Sequence, residues 1–190
     1  FLAGHETTAL ALSYALHLLA EHPHAARRLA EEVDRVVGAR PATVDDVPNL
    51  PFTDAVLRES MRLYPPAYLV GREVVEPVEI AGFPIAAGAQ VLTPQWVVHR
   101  DPRWFRAPEV FLPERWLDGL ASRLHRFAYF PFGGGPRVCV GNHFAMLEGV
   151  LVLATLAQSL RVGSVGHSLA LMNSVTLRPT TGVWLDVQRR

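Results

Sequence analysis

The chain contains one sulfhydryl, Cys139, and it stands in the stretch FPFGGGPRVCVG, Phe130 to Gly141. Glycines at 133, 134 and 135 permit backbone angles and close approaches that a Cβ forbids. Pro136 removes a donor and stiffens the turn. Arg137 places a permanent cation, suited to a carboxylate or phosphate, two residues before the sulfur. Gly141 leaves room for something flat or bulky just beyond it. The apolar helical run NHFAMLEGVLVLATLAQSL begins at once, so Cys139 lies near a helix N-terminus. Unpaired N–H groups and the positive end of the helix dipole favour a thiolate there.

Four chemistries compete for this loop. A buried structural thiol beside a glycine turn is the usual fate of a lone cysteine. A phosphate cradle is a second, but the loop lacks the Lys-Ser/Thr ending of a P-loop. A cysteine nucleophile with His143, at i+4, as base is a third, although no carboxylate is evidently placed to orient that ring. A thiolate axial ligand to haem iron is the fourth.

Two further constellations carry chemistry. In AGHET, Ala3 to Thr7, Ala3 and Thr7 stand one turn apart on one helical face, and Glu6 adds a carboxylate beside the Thr7 hydroxyl. An acid–alcohol pair is what proton delivery requires. A mid-helix glycine costs ~1 kcal/mol relative to alanine, so Gly4 calls for a reason, though a chance polar pair on an ordinary helix fits as well. In RESMR, Glu59 and Arg62 form an i,i+3 pair, worth ~0.2–0.5 kcal/mol on a surface helix.

Mainly helical elements must position these groups. Residues 1 to 20 recur at helical spacing, with Leu10, Tyr14 and Leu18 on one face. Pro23 opens a second helix that ends at Gly38. Its pairs Arg27–Glu31, Arg28–Glu32 and Glu31–Arg35 make it read as a solvated face with no chemistry. LPFTDAVLRESMRLYPP reads as a third helix, closed by Pro65 and Pro66. From Val74 to Val98 the runs VEIAGFPI and AQVLTPQWVV read as short strands. A proline-rich, aromatic-anchored loop, HRDPRWFRAPEVFLPERW, leads to the cysteine loop, and SVTLRPTTGVWLDV reads as a last hairpin.

Composition bounds the function. With 190 residues, 49% apolar and no net charge, the chain has the profile of a globular domain with one sizeable core. All eighteen basic residues are arginine, and they are scattered, so there is no electrostatic case for nucleic acid or a membrane surface. One cysteine forbids an internal disulfide and a multi-cysteine zinc site. No apolar run reaches the ~20 residues that span a bilayer. The chain opens inside a helical pattern and without Met, and so reads as a piece of something longer.

Phe132, Gly135, Arg137, Cys139 and Gly141 fit F-x-x-G-x-R-x-C-x-G, and the loop resembles the haem-thiolate signature of the cytochrome P450 monooxygenases. AGHET resembles that family's oxygen-binding helix pattern, A/G-G-x-D/E-T, and Glu59/Arg62 its E-x-x-R pair. The motifs come in family order over nearly the whole chain. The resemblance implies a mainly α fold with small antiparallel β-sheets, residues 1–190 being the C-terminal part of a single haem domain. It implies that Cys139 ligates the iron of haem b, that Arg137 pairs with a propionate, and that Phe132 packs near the sulfur side of the ring. It implies that Arg72 of LVGREV reaches the second propionate and that the small residues Ala3 and Gly4 let their helix approach the haem. Glu6 and Thr7 would then steer protons to dioxygen. Arg115 of PERW would complete a buried Glu59–Arg62 network with a structural role, while His99 of HRDP only packs. Ala67, Tyr68, Leu69 and Val70, with Ser174 and Val175 of the last hairpin, would line the pocket.

The implied reaction puts one atom of O₂ into a small apolar organic substrate and releases the other as water. The electrons come from a ferredoxin or flavin reductase, since nothing in the sequence binds flavin or nicotinamide. A peroxide-using or isomerising relative, a non-catalytic haem-binding or sensor protein, and an inactive fragment are the alternatives, and retention of Glu6 and Thr7 argues against the first two. The lysine-free composition leans toward a bacterial, cytoplasmic enzyme, with an anchor further upstream not addressed by these residues.

Overall fold

The computed structural model describes residues 2–190, with side chains from residue 4 onward. Three helices arise where the periodicity predicts them: α1 (Leu2–Glu21), α2 (Pro23–Val36) and α3 (Pro51–Leu63). α1 buries Tyr14, Ala15, Leu18 and Leu19 on one stripe. α2 begins with Pro23 at its first turn and stops at Gly38, which takes φ +64° and returns its N–H to the Val33 carbonyl at 3.2 Å. α3 is buried nearly all round, Phe52 to Leu63.

Helix α2 is less solvated than its i,i+4 pattern suggests. Arg28 leaves Glu32 and pairs with Glu114 at 2.8 Å, its guanidinium lying 4.3 Å from the Phe52 ring. Glu32 is buried and caps α3 instead. Its carboxylate accepts from the Phe52 and Thr53 N–H groups and from the Thr53 hydroxyl, each at 2.8 Å. α3 begins at a proline, so its free N–H groups need an acceptor, and a buried carboxylate at a helix N-terminus supplies one.

Four two-stranded antiparallel sheets lie outside this helical core. β1 (Val70–Glu73) pairs with β4 (Gln90–Thr93), around the hairpin of β2 (Val78–Ile80) and β3 (Phe83–Ile85). The QWVV run, read as strand, is instead the single helical turn α4 (Gln95–Val98), started by Pro94 at its N-cap. Gln95 and His99 are both fully buried at the two ends of that turn. A second short helix, α5 (Leu120–Arg123), precedes the cysteine loop, and α6 (Asn142–Ser159) follows it.

The tail is not one hairpin. β6 (Leu171–Asn173) pairs with β7 (Leu177–Pro179), but β8 (Leu185–Arg189) crosses back to β5 (Leu160–Ser164), the strand that continues α6. α6 joins α1, α2 and α3 in the core through Val150, Leu153 and Ala154. Gly149 sets how closely it approaches α3, because a Cβ there would stand 2.5 Å from a Leu57 methyl.

Candidate haem-thiolate site

The cysteine loop is built by its own backbone. Phe130 accepts from the Gly133 N–H at 2.9 Å, closing a turn in which Gly133 takes φ +72°. Gly135 takes φ +71°, and the Phe132 carbonyl accepts the Cys139 N–H at 3.0 Å. The two positive φ values require glycine. Gly134 is needed for space instead, since a Cβ would sit 2.6 Å from the Phe127 ring. Gly141, at φ −90°, is not conformationally compelled; its hypothetical Cβ would lie 3.9 Å from the Cys139 sulfur, so the glycine keeps one side of the thiol bare. Cys139 is exposed and stands three residues before α6.

The surroundings of the thiol are unusual for a surface. Val140 is 101% exposed, Phe144 67% and Val138 45%, all within five residues of Cys139. Arg137 and Arg72 are exposed, and neither belongs to an ion pair among the described residues; Arg72 only returns Nη1 to the Gly71 carbonyl. The exposed thiol excludes the reading of a buried structural cysteine. His143 is exposed, its N–H held by Asn142 Oδ1 at 2.6 Å, and no carboxylate contacts its ring among the described residues.

Behind the loop, Glu59, Arg62 and Arg115 meet in a fully connected network. Arg62 Nε and Nη2 each donate to the Glu59 carboxylate at 2.9 Å, and Arg115 Nε donates to it at 3.0 Å. Trp116 Nε1 and the Leu112 N–H complete its acceptor sites at 2.8 and 3.0 Å. Arg62 spends its remaining protons on the carbonyls of His99 (2.9 Å), Pro108 (2.5 Å) and Val110 (3.1 Å). Arg115 Nη1 donates to the Arg106 carbonyl at 2.8 Å. The pair thus organises the meander from 99 to 116, well beyond the i,i+3 contact visible in the sequence.

His99 does more than pack, which corrects its assignment from sequence. Its Nε2 accepts the Phe130 N–H at 3.0 Å, and its ring lies 5.1 Å from Tyr129 and edge-on to Phe130 at 5.3 Å. Burial, reinforced by the Arg62 cation, pushes the imidazole down to about 3, so the neutral ring with its proton on Nδ1 is the stable form. Nδ1 is turned toward the Met61 carbonyl but falls short of hydrogen-bond geometry.

On the other side, the first turns of α1 meet the last hairpin. The Glu6 carboxylate accepts from the Thr176 hydroxyl at 2.5 Å and from Arg178 Nε at 2.8 Å, with Arg178 Nη2 at 2.7 Å. The Thr176 hydroxyl, ahead of the Arg178 cation, holds this carboxyl below the usual range. Sequence reasoning missed both partners, although they follow Ser174 and Val175 directly. Thr7 is half-buried on the same helix, and Gly4 is exposed with open space where a Cβ would stand. Ala3 lies outside the residues whose side chains are described.

The two segments singled out for substrate do come together. Tyr68 donates its hydroxyl to the Ser174 carbonyl at 2.9 Å, and the Leu177 N–H bonds the Pro66 carbonyl at 2.9 Å. Ala67 and Val70 are half-buried there, Leu69 is exposed, and Val175 stands 93% exposed at the hairpin tip.

The cavities among the described residues include two of substantial size. One of about 340 Å³ lies against the loop, between Arg58 and Met61 of α3, Phe127 to Gly135, and Met146 of α6. The other, about 440 Å³, sits between α1, α2 and α6 among Leu16, Leu19, Ala26 and Leu153. None of the site residues named from the sequence lines the larger one. Among the described residues, no cluster of three metal-ligating side chains occurs, and no helix is long and apolar enough to cross a membrane.

The family model described as cytochrome P450 matches residues 1–181. The chain is similar to cytochrome P450 4V2 of Homo sapiens, with 37% identity over 98% of this chain and 36% of that protein. It is also similar to cyclooctatin synthase of Streptomyces melanosporofaciens, with 45% identity over 82% of this chain and 34% of that protein. The chain spans about a third of the length of these curated relatives.

Proposed function

Because the chain belongs to the cytochrome P450 family, we propose that its residues form the C-terminal part of a single haem domain in a monooxygenase, with Cys139 as the thiolate ligand of haem b. One observation carries this reading. An exposed thiol stands on a glycine-rich loop amid exposed Val138, Val140 and Phe144, with Arg137, in no ion pair among the described residues, two residues before it. Apolar side chains left in water next to a potential thiolate are costly unless a large flat apolar group covers them. A lone cation beside them suits a carboxylate on that group. The donor set therefore fits a haem: soft sulfur for iron, apolar surface for the ring, and guanidinium for the propionates.

In this reading the loop would hold a haem that supplies dioxygen chemistry, by which one oxygen atom would enter an apolar organic substrate and the other would leave as water. The residues of the chain hold and orient. Arg137 and Arg72 bind the propionates, Phe132 packs on the sulfur side, and Gly135 and Gly141 keep the backbone close. Gly4 opens the α1 face, and Ala3, one residue earlier, serves the same purpose. Glu6, ionised and tethered to β7 by Thr176 and Arg178, moves protons with Thr7. Ala67, Tyr68, Leu69 and Val70 face the substrate across from Ser174 and Val175, a placement supported by the Tyr68–Ser174 hydrogen bond. Electrons come from a ferredoxin or flavin reductase.

The test is the carbon monoxide difference spectrum of the dithionite-reduced protein, measured on the full-length parent chain and on its Cys139→Ser variant. A strongly red-shifted Soret band that disappears in the serine variant is expected. Absence of that band from the wild-type parent would sink the haem-thiolate reading.

A further inference from the structure

We infer that Gln95 and His99 form a two-point clamp on the Phe130 peptide that sets the position of the Cys139 loop, and that both are positioning residues for the thiolate. The inference rests on the haem-thiolate reading above. The two side chains stand four residues apart at the two ends of α4, the His99 N–H donating to the Gln95 carbonyl at 2.8 Å, so they project from one face. Both are fully buried. His99 Nε2 accepts the Phe130 N–H at 3.0 Å, and Gln95 Nε2 donates to the Phe130 carbonyl at 3.4 Å. One residue is thus gripped by its donor and by its acceptor.

Phe130 is the first residue of the loop, and its grip propagates. The same Phe130 carbonyl closes the Gly133 turn, and Phe132, inside that turn, receives the Cys139 N–H. From His99 to the cysteine the connection therefore runs through backbone hydrogen bonds and two peptide units. At its other end the clamp is anchored. The His99 carbonyl accepts a hydrogen bond from Arg62, which is itself locked to Glu59. A rigid buried network is in this way joined to the sulfur.

Simple packing does not account for these two residue types. Among the described residues, the buried side-chain polar atoms left without a hydrogen bond are Gln95 Oε1 and His99 Nδ1. Leaving such atoms unpaired destabilises the fold, and apolar side chains of the same volume would avoid it. What Gln95 and His99 supply in exchange is the donor and acceptor that hold Phe130, which no apolar pair can provide.

The experiment uses the full-length, haem-loaded parent. His99→Phe keeps a ring and removes the acceptor, His99→Gln restores an acceptor, and Gln95→Met removes the donor at similar volume. The readouts are the iron–sulfur stretching frequency by resonance Raman, the ferric/ferrous reduction potential, the fraction of the reduced carbon monoxide complex in the red-shifted band, and the thermal midpoint. We expect His99→Phe to shift the frequency and the potential and to lower the ligated fraction at least twofold. His99→Gln should move all three back toward wild type, and Gln95→Met should cause a smaller change in the same direction. A lowered thermal midpoint with unmoved frequency, potential and ligated fraction would overturn the inference and leave both residues as packing. Should His99→Phe fail to fold, Gln95→Met decides by the same readouts, and no change there overturns it. A wild-type parent without the band overturns the functional reading and this inference together, whereas a wild-type band that no variant moves overturns the inference alone.

Discussion

The Glu59 network and the Cys139 loop face opposite accounting problems. Around Glu59 the chain satisfies itself: two guanidinium groups, an indole and a backbone N–H converge on one carboxylate, and the spare arginine protons find carbonyls. Around Cys139 the chain leaves its account open, with a free thiol, exposed valines and a phenylalanine, and cations lacking carboxylates. Within one fold, the closed region is where structure is held, and the open region is where the proposed haem would bind. His99 connects them, taking part in the first through its carbonyl and in the second through its imidazole.

The sharpest way to break this contrast is to unbalance the closed region. Glu59→Gln removes the charge that compensates two buried arginines. A buried ion pair that loses one partner costs ~3–5 kcal/mol, so the variant of the full-length chain should give little folded protein or a urea-unfolding free energy lowered by that amount. Since both arginines hold the meander before the loop, a loss under about 1 kcal/mol would show that the network is not what supports that segment.

Acid should act on the same region through His99. The folded imidazole lies at about 3, below its ordinary value, and so the unfolded chain binds the proton first. Stability is then full above about pH 6.5 and falls by ~1.4 kcal/mol for each unit of pH below it, until the folded ring titrates near 3. Urea unfolding of wild type and His99→Phe between pH 7 and 5 checks this. The wild type should lose more stability on acidification than the variant, and equal slopes would contradict a buried neutral histidine.

Gly149→Ala probes the core between the two regions. The new methyl would stand 2.5 Å from Leu57, and overpacking of this kind costs ~1–3 kcal/mol. Against that stands the ~1 kcal/mol that alanine gains over glycine in a helix interior. A net loss of about 1 kcal/mol in urea unfolding is expected. A gain would mean that α3 and α6 approach less closely than described.

What the sequence showed, and what it hid, divides along the same line. The geometry of the cysteine loop was legible because its demands are local: glycine where φ is positive, with the cysteine and the arginine within ten residues. Long helices were legible from their 3.6-residue rhythm. Pairings decided by distant segments were not. Arg28 and Glu32 match a helical i,i+4 rule, yet their partners lie on other elements, at Glu114 and at the start of α3. QWVV has strand-like residues, but four residues after a proline are too few for composition to decide, and the run forms a helical turn. β8 looks like the return of a hairpin and pairs instead with β5, more than twenty residues earlier. His99 carries no local signature because its partner, Phe130, is thirty-one residues away.

The smallest effect on stability belongs to the open region, and it is the one that separates holding structure from holding a ligand. Val140 is fully exposed, so Val140→Ser removes no buried contact among the described residues and should change urea stability of the haem-free chain by under ~0.5 kcal/mol. Val140 adjoins Cys139 in the chain, however, and apolar surface is worth ~25 cal/mol for each Å² that a bound group covers. A polar serine forfeits that contribution only when the haem is present. Haem transfer from the full-length parent to an excess of apomyoglobin should therefore be several-fold faster for the variant, with an unchanged urea midpoint for the haem-free form. Equal transfer rates would mean that the apolar rim beside the thiol lies outside the haem contact, and that Cys139 and the arginines alone retain the group.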